Sequence, residues 1–269
     1  MTKSENLLLV GGGNMGRALV NGWLANGHES GRIQVVDLSE DARVEIAKLG
    51  VTTSATLGTA PDPVDLVMFA VKPQQLESVL PSYGPLCQGG SVVLSIAAGK
   101  RIDFFERILG PDVALVRAMP NTPAAIGQGM TVLTANESVS SSQKTLCESL
   151  MRAVGDVAWL DDEDLMDAVT AVSGSGPAYV FLLIECLTDA AVAAGLDEGL
   201  ARQLAEQTIS GAGAYAISSA SEARELRRQV TSPGGTTEAA LDVLMGEGGL
   251  PALMRHAVSA ATERGRELA

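Results

Sequence analysis

The sequence LLLVGGGNMG occupies residues 7–16, where a short apolar run leads directly into a glycine-rich stretch. Three of the glycines, Gly11, Gly13 and Gly16, have the spacing GxGxxG. Residues 14–26 then carry apolar side chains at helical spacing, and residues 33–36 predict a second strand. This order of strand, glycine loop, helix and strand is typical of a dinucleotide-binding βαβ unit, in which the helix N-terminus faces a pyrophosphate.

Asp37 follows the predicted second strand and lies 21 residues beyond Gly16. An acidic residue at this position binds the ribose 2′-hydroxyl of NAD or repels the 2′-phosphate of NADP. No arginine occupies positions 38–40, and Arg43 is the nearest one in the sequence. These residues favour NADH, although an aspartate here could also be a helix cap or a surface residue.

Strands and helices alternate through the first 160 residues, which predicts a mainly parallel sheet in the α/β class. From residue 161 onward only helical periodicity remains. We therefore predict a Rossmann-like NAD(P)-binding domain over residues 1–160 and an all-helical domain over residues 161–269. The further predicted strands are 64–71, 91–96, 113–117, 130–134 and 157–160, and the further predicted helices of the first domain are 41–49, 74–80, 101–109 and 140–154.

The formal net charge of the 269 residues is −13, and no run of Lys or Arg is present, which argues against nucleic-acid binding. The cysteines Cys87, Cys147 and Cys186 are far apart, so neither a disulfide framework nor a CxxC site is expected. The histidines His28 and His256 lack the spacing of metal ligands. The sequence predicts no metal site.

No targeting segment is evident at residues 1–6, and no stretch approaches the ~20 apolar residues of a membrane span. The most apolar stretch, residues 178–187, contains Glu185. We expect a cytoplasmic protein that does not enter a membrane.

Two short segments end predicted strands and carry small residues. AVKP occupies residues 70–73, and IAAG occupies residues 96–99. Because ligands of open α/β sheets bind outside the carboxyl ends of strands, both segments are candidates for cofactor contact. Lys72 could meet phosphate or ribose there, or it could be a solvated lysine before a turn proline.

Two other segments precede predicted helices and offer consecutive backbone N–H groups, which can bind anions. For SGSGP at residues 173–177, ordinary capping and close helix packing is the preferred interpretation. For TSPGGTT at residues 231–237, the density of hydroxyls and glycines favours a carboxylate site.

The blocks RAMPNTPAAIGQG (117–129), DAVTAVSGSGPAYVF (167–181) and TSPGGTTEAAL (231–241) resemble the signatures of pyrroline-5-carboxylate reductase. The resemblance runs nearly end to end. It implies reduction of 1-pyrroline-5-carboxylate to L-proline with NADP(H) or NAD(H), in a homodimer, with higher homo-oligomers left open. The family commonly prefers NADPH and often has an arginine after the second strand, where this chain has Asp37, Leu38 and Ser39.

The resemblance and the motifs together give the candidate site residues. Those expected to contact the cofactor are Gly11, Gly13, Asn14, Met15, Gly16, Asp37, Ala70, Val71, Lys72, Pro73, Ile96, Ala97 and Ala98. Those expected to contact the substrate are Ser232, Gly234, Gly235, Thr236 and Thr237, and the resemblance implies that Thr237 hydrogen-bonds the ring nitrogen as the catalytic residue.

The chemistry of an imine is compatible with a chain that is poor in histidine and cysteine. Hydride transfer to an electrophilic imine carbon needs orientation more than a strong general base. Two alternatives stay open. One is a related NAD(P)-dependent imine or hydroxyacid oxidoreductase, although a hydroxyacid enzyme generally needs a Lys or His to move the alcohol proton. The other is a non-catalytic dinucleotide-sensing scaffold.

Overall fold

A computed structural model of the chain describes residues 5–58 and 63–268. The chain divides into two compact units. The first unit extends to Gly174 and includes the end of the last helix from Thr262, and the second unit comprises Ser175–Ala261. Residues 1–4, which contain most of the N-terminal stretch considered above for targeting, lie outside the described residues.

An eight-stranded sheet forms the centre of the first unit, with strand order β3-β2-β1-β4-β5-β6-β7-β8. All neighbouring strands are parallel except β6 and β7, which are antiparallel. The predicted α/β class and the mainly parallel sheet are confirmed. The strands are β1 (Leu7–Val10), β2 (Ile33–Val36), β3 (Thr52–Ser54), β4 (Leu66–Phe69), β5 (Val92–Ser95), β6 (Leu115–Met119), β7 (Gly129–Ala135) and β8 (Gly155–Trp159).

The helices of the first unit cover both faces of this sheet. They are α1 (Asn14–Ala25), α2 (Glu40–Ala47), α3 (Leu76–Val79), α4 (Gly84–Cys87), α5 (Ile102–Leu109), α6 (Ser141–Arg152) and α7 (Met166–Val169). A π-helical turn, Thr170–Gly174, follows α7. Short 3₁₀ helices occupy Ser30–Arg32, Pro73–Gln75, Leu80–Tyr83, Thr122–Ile126 and Glu163–Leu165.

The core is divided by the sheet into two apolar clusters. Leu7 and Leu9 of β1 belong to one cluster, and Leu8 and Val10 belong to the other. Side chains alternate along a strand, so a strand that is buried on both faces is a continuous apolar run, as predicted. Burying each such leucine contributes about 1.5–3 kcal/mol relative to leaving it exposed.

The first unit continues past the predicted boundary at residue 160, because the segment that follows is held to the sheet. Glu163 accepts hydrogen bonds from the buried Arg117 of β6 and from the amide of Ile102. Asp167 packs close to Gly265 in the last helix, where an added Cβ would lie 3.0 Å from its Oδ1 atom. The functional division at residue 160 stays a prediction, whereas the compact units divide at Gly174.

The second unit is entirely helical. It contains α8 (Gly176–Ala193), α9 (Glu198–Ser218), α10 (Ala223–Gln229), α11 (Thr236–Leu244) and most of α12 (Leu250–Leu268). Helix α8 has no buried residue in the isolated chain. Phe181 and Leu182 are 58% and 57% exposed.

One helical run, Glu163–Ala193, is long and apolar enough to cross a membrane by length and composition alone. By this measure of length and mean hydropathy, the expectation that no stretch approaches the apolar residues of a membrane span is wrong. The reason is that α7, the π turn and α8 follow one another closely, and their alanines and valines raise the mean hydropathy around the few charged residues.

Candidate active site

The glycine loop after β1 is held by close backbone contacts. Gly11 has a φ of +107°, and an added Cβ there would lie 2.6 Å from the carbonyl oxygen of Ala70. An added Cβ at Gly16 would lie 2.2 Å from the carbonyl oxygen of Gly11. Both glycines are required because a side chain would collide with backbone, which cannot move aside cheaply. They fix the turn and the packing of α1 on the sheet.

Gly13 differs from its two neighbours in the motif because an added Cβ would have nothing within 4 Å. It is the N-cap of α1, and no side chain caps this helix. The first turn of α1 contains no acidic residue. The first amide groups of α1 therefore have no partner within their own helix, and the space beside Gly13 is open. This combination suits a pyrophosphate. These features fit the NAD(P) group that the motif predicts.

A cavity of about 380 Å³ lies beside this loop, at the carboxyl ends of β1, β2 and β4. It is lined by residues that are far apart in the sequence, and six of the predicted cofactor residues meet here. These six are Gly11, Gly13, Asp37, Ala70, Val71 and Lys72.

The other predicted cofactor residues lie along the same edge of the sheet but outside this cavity. Pro73 and Ala98 border a second cavity of about 300 Å³. Asn14 and Met15 border a third, of about 760 Å³. Ile96 and Ala97 follow directly after β5, and Ala97 is buried.

Asp37 lies at the predicted position after β2, but its carboxylate is already engaged. Its Oδ2 atom accepts a hydrogen bond from the amide of Gly12 at 2.6 Å, and its Oδ1 atom accepts one from the amide of Ser39 at 2.7 Å. Ser39 in turn caps α2 by accepting from the amide of Ala42. Asp37 thus joins the glycine loop to the loop after β2, a role that sequence reasoning did not identify. Contact of Asp37 with a ribose stays a prediction.

The loop after β6 is tied to the π turn by Asn121, which sequence reasoning also missed. The Nδ2 atom of Asn121 donates to the carbonyl oxygen and the hydroxyl of Ser173 at 3.2 and 3.3 Å, and its Oδ1 atom accepts from the amide of Met130. Gly174 lies so close to Met119 that an added Cβ would approach its Cε atom to 2.5 Å. Ser173 and Gly174, the first two residues of the SGSGP block, therefore contact the segment that contains Asn121 and Met119. The interpretation that this block packs rather than binds an anion stays a prediction.

The candidate substrate loop lies in the second unit, where Gly235 is the N-cap of α11 and no side chain caps the helix. The loop turns at Gly234, which has a φ of +72°, and the amide of Gly235 donates to the carbonyl oxygen of Ser232. The amide of Gly234 donates to the carboxylate of Glu238 at 2.6 Å. A carboxylate oxygen therefore fits against this loop.

Thr236 and Thr237 are the first two residues of α11. Since the first amides of a helix have no partner within it, these two remain available for an anion. All five predicted substrate residues lie in one short segment of the sequence, residues 232–237. Their contact with a substrate stays a prediction.

Among the residues that the structure describes, no histidine or cysteine lines the cofactor cavity or falls within residues 231–237, and Cys186 is exposed on α8. The Nε2 atom of the buried His28 hydrogen-bonds to the carbonyl oxygen of Glu5, and His256 is exposed on α12. Burial raises the pKa of the thiols of Cys87 and Cys147 to about 12, so both are inert at neutral pH. Across residues 5–58 and 63–268, no group of three or more His, Cys, Asp or Glu side chains is arranged to hold a metal ion.

Known proteins are similar to this chain over almost its whole length. A family model described as pyrroline-5-carboxylate reductase dimerisation matches residues 163–268, and one described as NADP oxidoreductase, coenzyme F420-dependent, matches residues 6–99. The pyrroline-5-carboxylate reductase of Pseudomonas aeruginosa is 42% identical over 267 residues, which cover 99% of this chain and 97% of the relative.

Solved structures agree. A pyrroline-5-carboxylate reductase from Coxiella burnetii has a TM-score of 0.94 and 41% identity, and the match covers 99% of both chains. A pyrroline carboxylate reductase from Plasmodium falciparum, solved with NADP bound, has a TM-score of 0.85 and 29% identity, and the match covers 100% of this chain and 99% of that one. The chain belongs to the pyrroline-5-carboxylate reductase family.

Proposed function

We propose that this chain reduces 1-pyrroline-5-carboxylate to L-proline, with NADPH as the reductant. The geometric observation that carries the proposal is the open Gly13 at the uncapped start of α1, beside a cavity lined by six of the predicted cofactor residues. When bound, the cofactor supplies a hydride from C4 of its nicotinamide, and the hydride adds to the imine carbon.

The residues of this chain bind the cofactor and the substrate and orient them for the reaction. The N-terminal amides of α1 bind the pyrophosphate, and Gly11 and Gly16 keep the loop in the shape that this contact needs. Lys72 is exposed at the edge of the cofactor cavity, where its charge can offset phosphate. Local positive ends of helices matter here, because two anionic ligands bind a chain whose net charge is −13.

We assign substrate binding to the start of α11. The amides of Thr236 and Thr237 bind the substrate carboxylate, as the Gly234 amide binds the carboxylate of Glu238. The hydroxyl of Thr237 donates a hydrogen bond to the ring nitrogen, which polarises the C=N bond and favours attack at carbon. No general base is needed, because the reduction removes no proton from the imine. As the hydride adds to the carbon, the ring nitrogen takes up one proton, which solvent supplies.

The two alternatives receive less support. A hydroxyacid oxidoreductase would need a Lys or His to move the alcohol proton, and neither residue type lies within the segment 231–237. A non-catalytic scaffold has no counterpart among the relatives described above, which are named as reductases.

We also propose a homodimer that buries the apolar faces of the second unit. Helix α8 exposes large apolar side chains, which rarely stay uncovered in a stable protein. The family model that matches this region is described as a dimerisation model. The same burial accounts for the apolar run Glu163–Ala193 without a membrane. A cytoplasmic location stays a prediction.

The test of the mechanism is a pair of substitutions at Thr237. Thr237→Ala should lower kcat about 100-fold, the cost typical of losing one donor to a reacting atom, and should change the Kd of NADP less than about threefold. Thr237→Ser keeps the hydroxyl and is the matched control, which should retain most of the turnover. Equal turnover in Thr237→Ala and the unaltered protein would remove Thr237 from the mechanism.

A further inference from the structure

The first turns of α2 contain a half-buried arginine, Arg43, whose side chain contacts the loop after β2. One Nη atom of Arg43 donates to the carbonyl oxygens of Asp37 and Leu38, at 2.8 and 2.9 Å. Arg43 lies four residues into α2 by sequence, so its side chain reaches back over the start of the helix to the loop. Within residues 5–58 and 63–268, no carboxylate forms an ion pair with it.

This arrangement leaves donors on Arg43 for a ligand. A guanidinium has five N–H donors in a fixed plane and binds phosphate in a bidentate manner. The two carbonyl contacts use one nitrogen and fix the side chain in place at little further entropy cost on binding. Asp37 and Leu38, whose carbonyls hold it, both line the cofactor cavity.

The carboxylate of Asp37 already has contacts within the protein. Both of its carboxylate oxygens accept from backbone amides, those of Gly12 and Ser39. Hydrogen bonds from amides offset part of the negative charge that would repel a 2′-phosphate. They also tie the carboxylate to the two loops, so removing it disturbs the glycine loop whichever cofactor is bound.

We propose that Arg43 is the residue that selects NADP by contacting its 2′-phosphate, and that Asp37 braces the glycine loop instead of selecting NAD. The inference rests on the proposed NADPH-dependent function. Two exposed acidic residues in the first turn of α2, Glu40 and Asp41, oppose the phosphate electrostatically. Their charges are solvated and screened, whereas the guanidinium is half-buried and held in position.

The test uses two ligands that lack nicotinamide, so that binding is measured without turnover. These are 2′-phospho-ADP-ribose and ADP-ribose, titrated calorimetrically into the full-length protein. Arg43→Gln should weaken 2′-phospho-ADP-ribose about 10- to 100-fold, as expected for a lost charge-assisted hydrogen bond, and should change ADP-ribose less than about threefold. Arg107→Gln, at an exposed arginine in the last turn of α5, is the control and should change neither ligand.

Asp37→Ser separates the two roles of the aspartate. If Asp37 braces the glycine loop, its replacement should weaken the binding of both ligands. The ratio of the two affinities should stay within about threefold of that of the unaltered protein. If Asp37→Ser weakens ADP-ribose selectively by tenfold or more, Asp37 is the selecting residue and the inference is overturned. An unchanged ratio in Arg43→Gln would overturn it as well. If the unaltered protein bound neither ligand, the proposed function itself would fail along with the inference.

Discussion

Replacing Gly13 by alanine should weaken cofactor binding without weakening the fold. Gly13 has φ −65° and ψ −166°, an extended conformation that alanine adopts freely. An added Cβ would touch nothing within 4 Å. Alanine is a poorer N-cap than glycine, but it also restricts the unfolded chain, which stabilises by about 0.4–1 kcal/mol. The free energy of unfolding should therefore change by less than about 1 kcal/mol.

The effect on the ligand is different, because the same open space is where we assign the pyrophosphate. A methyl group there keeps phosphate oxygens away from the amides of α1. We expect the Kd of NADP to rise at least about tenfold, which corresponds to about 1.4 kcal/mol. The assay is calorimetric titration with NADP, together with urea unfolding of the same preparations.

Gly16→Ala is the contrasting variant. Its Cβ would lie 2.2 Å from the carbonyl oxygen of Gly11, so the backbone must shift. We expect a loss of about 1–3 kcal/mol in the free energy of unfolding, as for other overpacked sites. If Gly13→Ala bound NADP as tightly as the unaltered protein, the assignment of the pyrophosphate to this loop would be refuted.

Two further predictions concern stability. Glu163→Gln should lower the free energy of unfolding by about 3 kcal/mol in urea, because it leaves the guanidinium of Arg117, which is 4% exposed, without its charged partner at 2.9 Å; a loss below about 1 kcal/mol would contradict this. Burial raises the pKa of the Cys147 thiol from 9.0 to about 12, so the fold favours the neutral thiol. The stabilisation of the fold by the neutral Cys147 thiol is fully present below pH 9 and is lost as the pH rises toward 12. The Tm should therefore fall over this interval, and it should fall less steeply in Cys147→Ala, which has no thiol to ionise at this position.

The sheet could be predicted because most of its strands are apolar runs buried on both faces. The strand at one edge, β3, was missed because its sequence TTS is short, polar and partly exposed. Helix α4 was missed because it is a single turn that contains Gly84 and Pro85. Strand ends shifted by one to a few residues, since pairing with neighbours, and not the apolar run alone, sets where a strand stops.

The candidate site could be predicted where a sequence motif itself indicates the ligand that it binds. The GxGxxG spacing identified the glycine loop. The structure adds that Gly11 and Gly16 lie against backbone atoms, whereas an added Cβ at Gly13 would have nothing within 4 Å. The links from Asn121 to Ser173 and from Arg43 to the carbonyls of the loop after β2 could not be predicted. Both depend on where loops meet after folding, and neither leaves a spacing signal in the sequence.

The central claim is that this chain makes L-proline by reducing an imine, and its most direct measurement is turnover by the purified protein. The protein would be mixed with 1-pyrroline-5-carboxylate and NADPH, with NADPH absorbance and proline followed together. We predict that one proline forms for each NADPH oxidised, and that neither changes when the substrate is left out. No proline above the background of a protein-free mixture would contradict the claim.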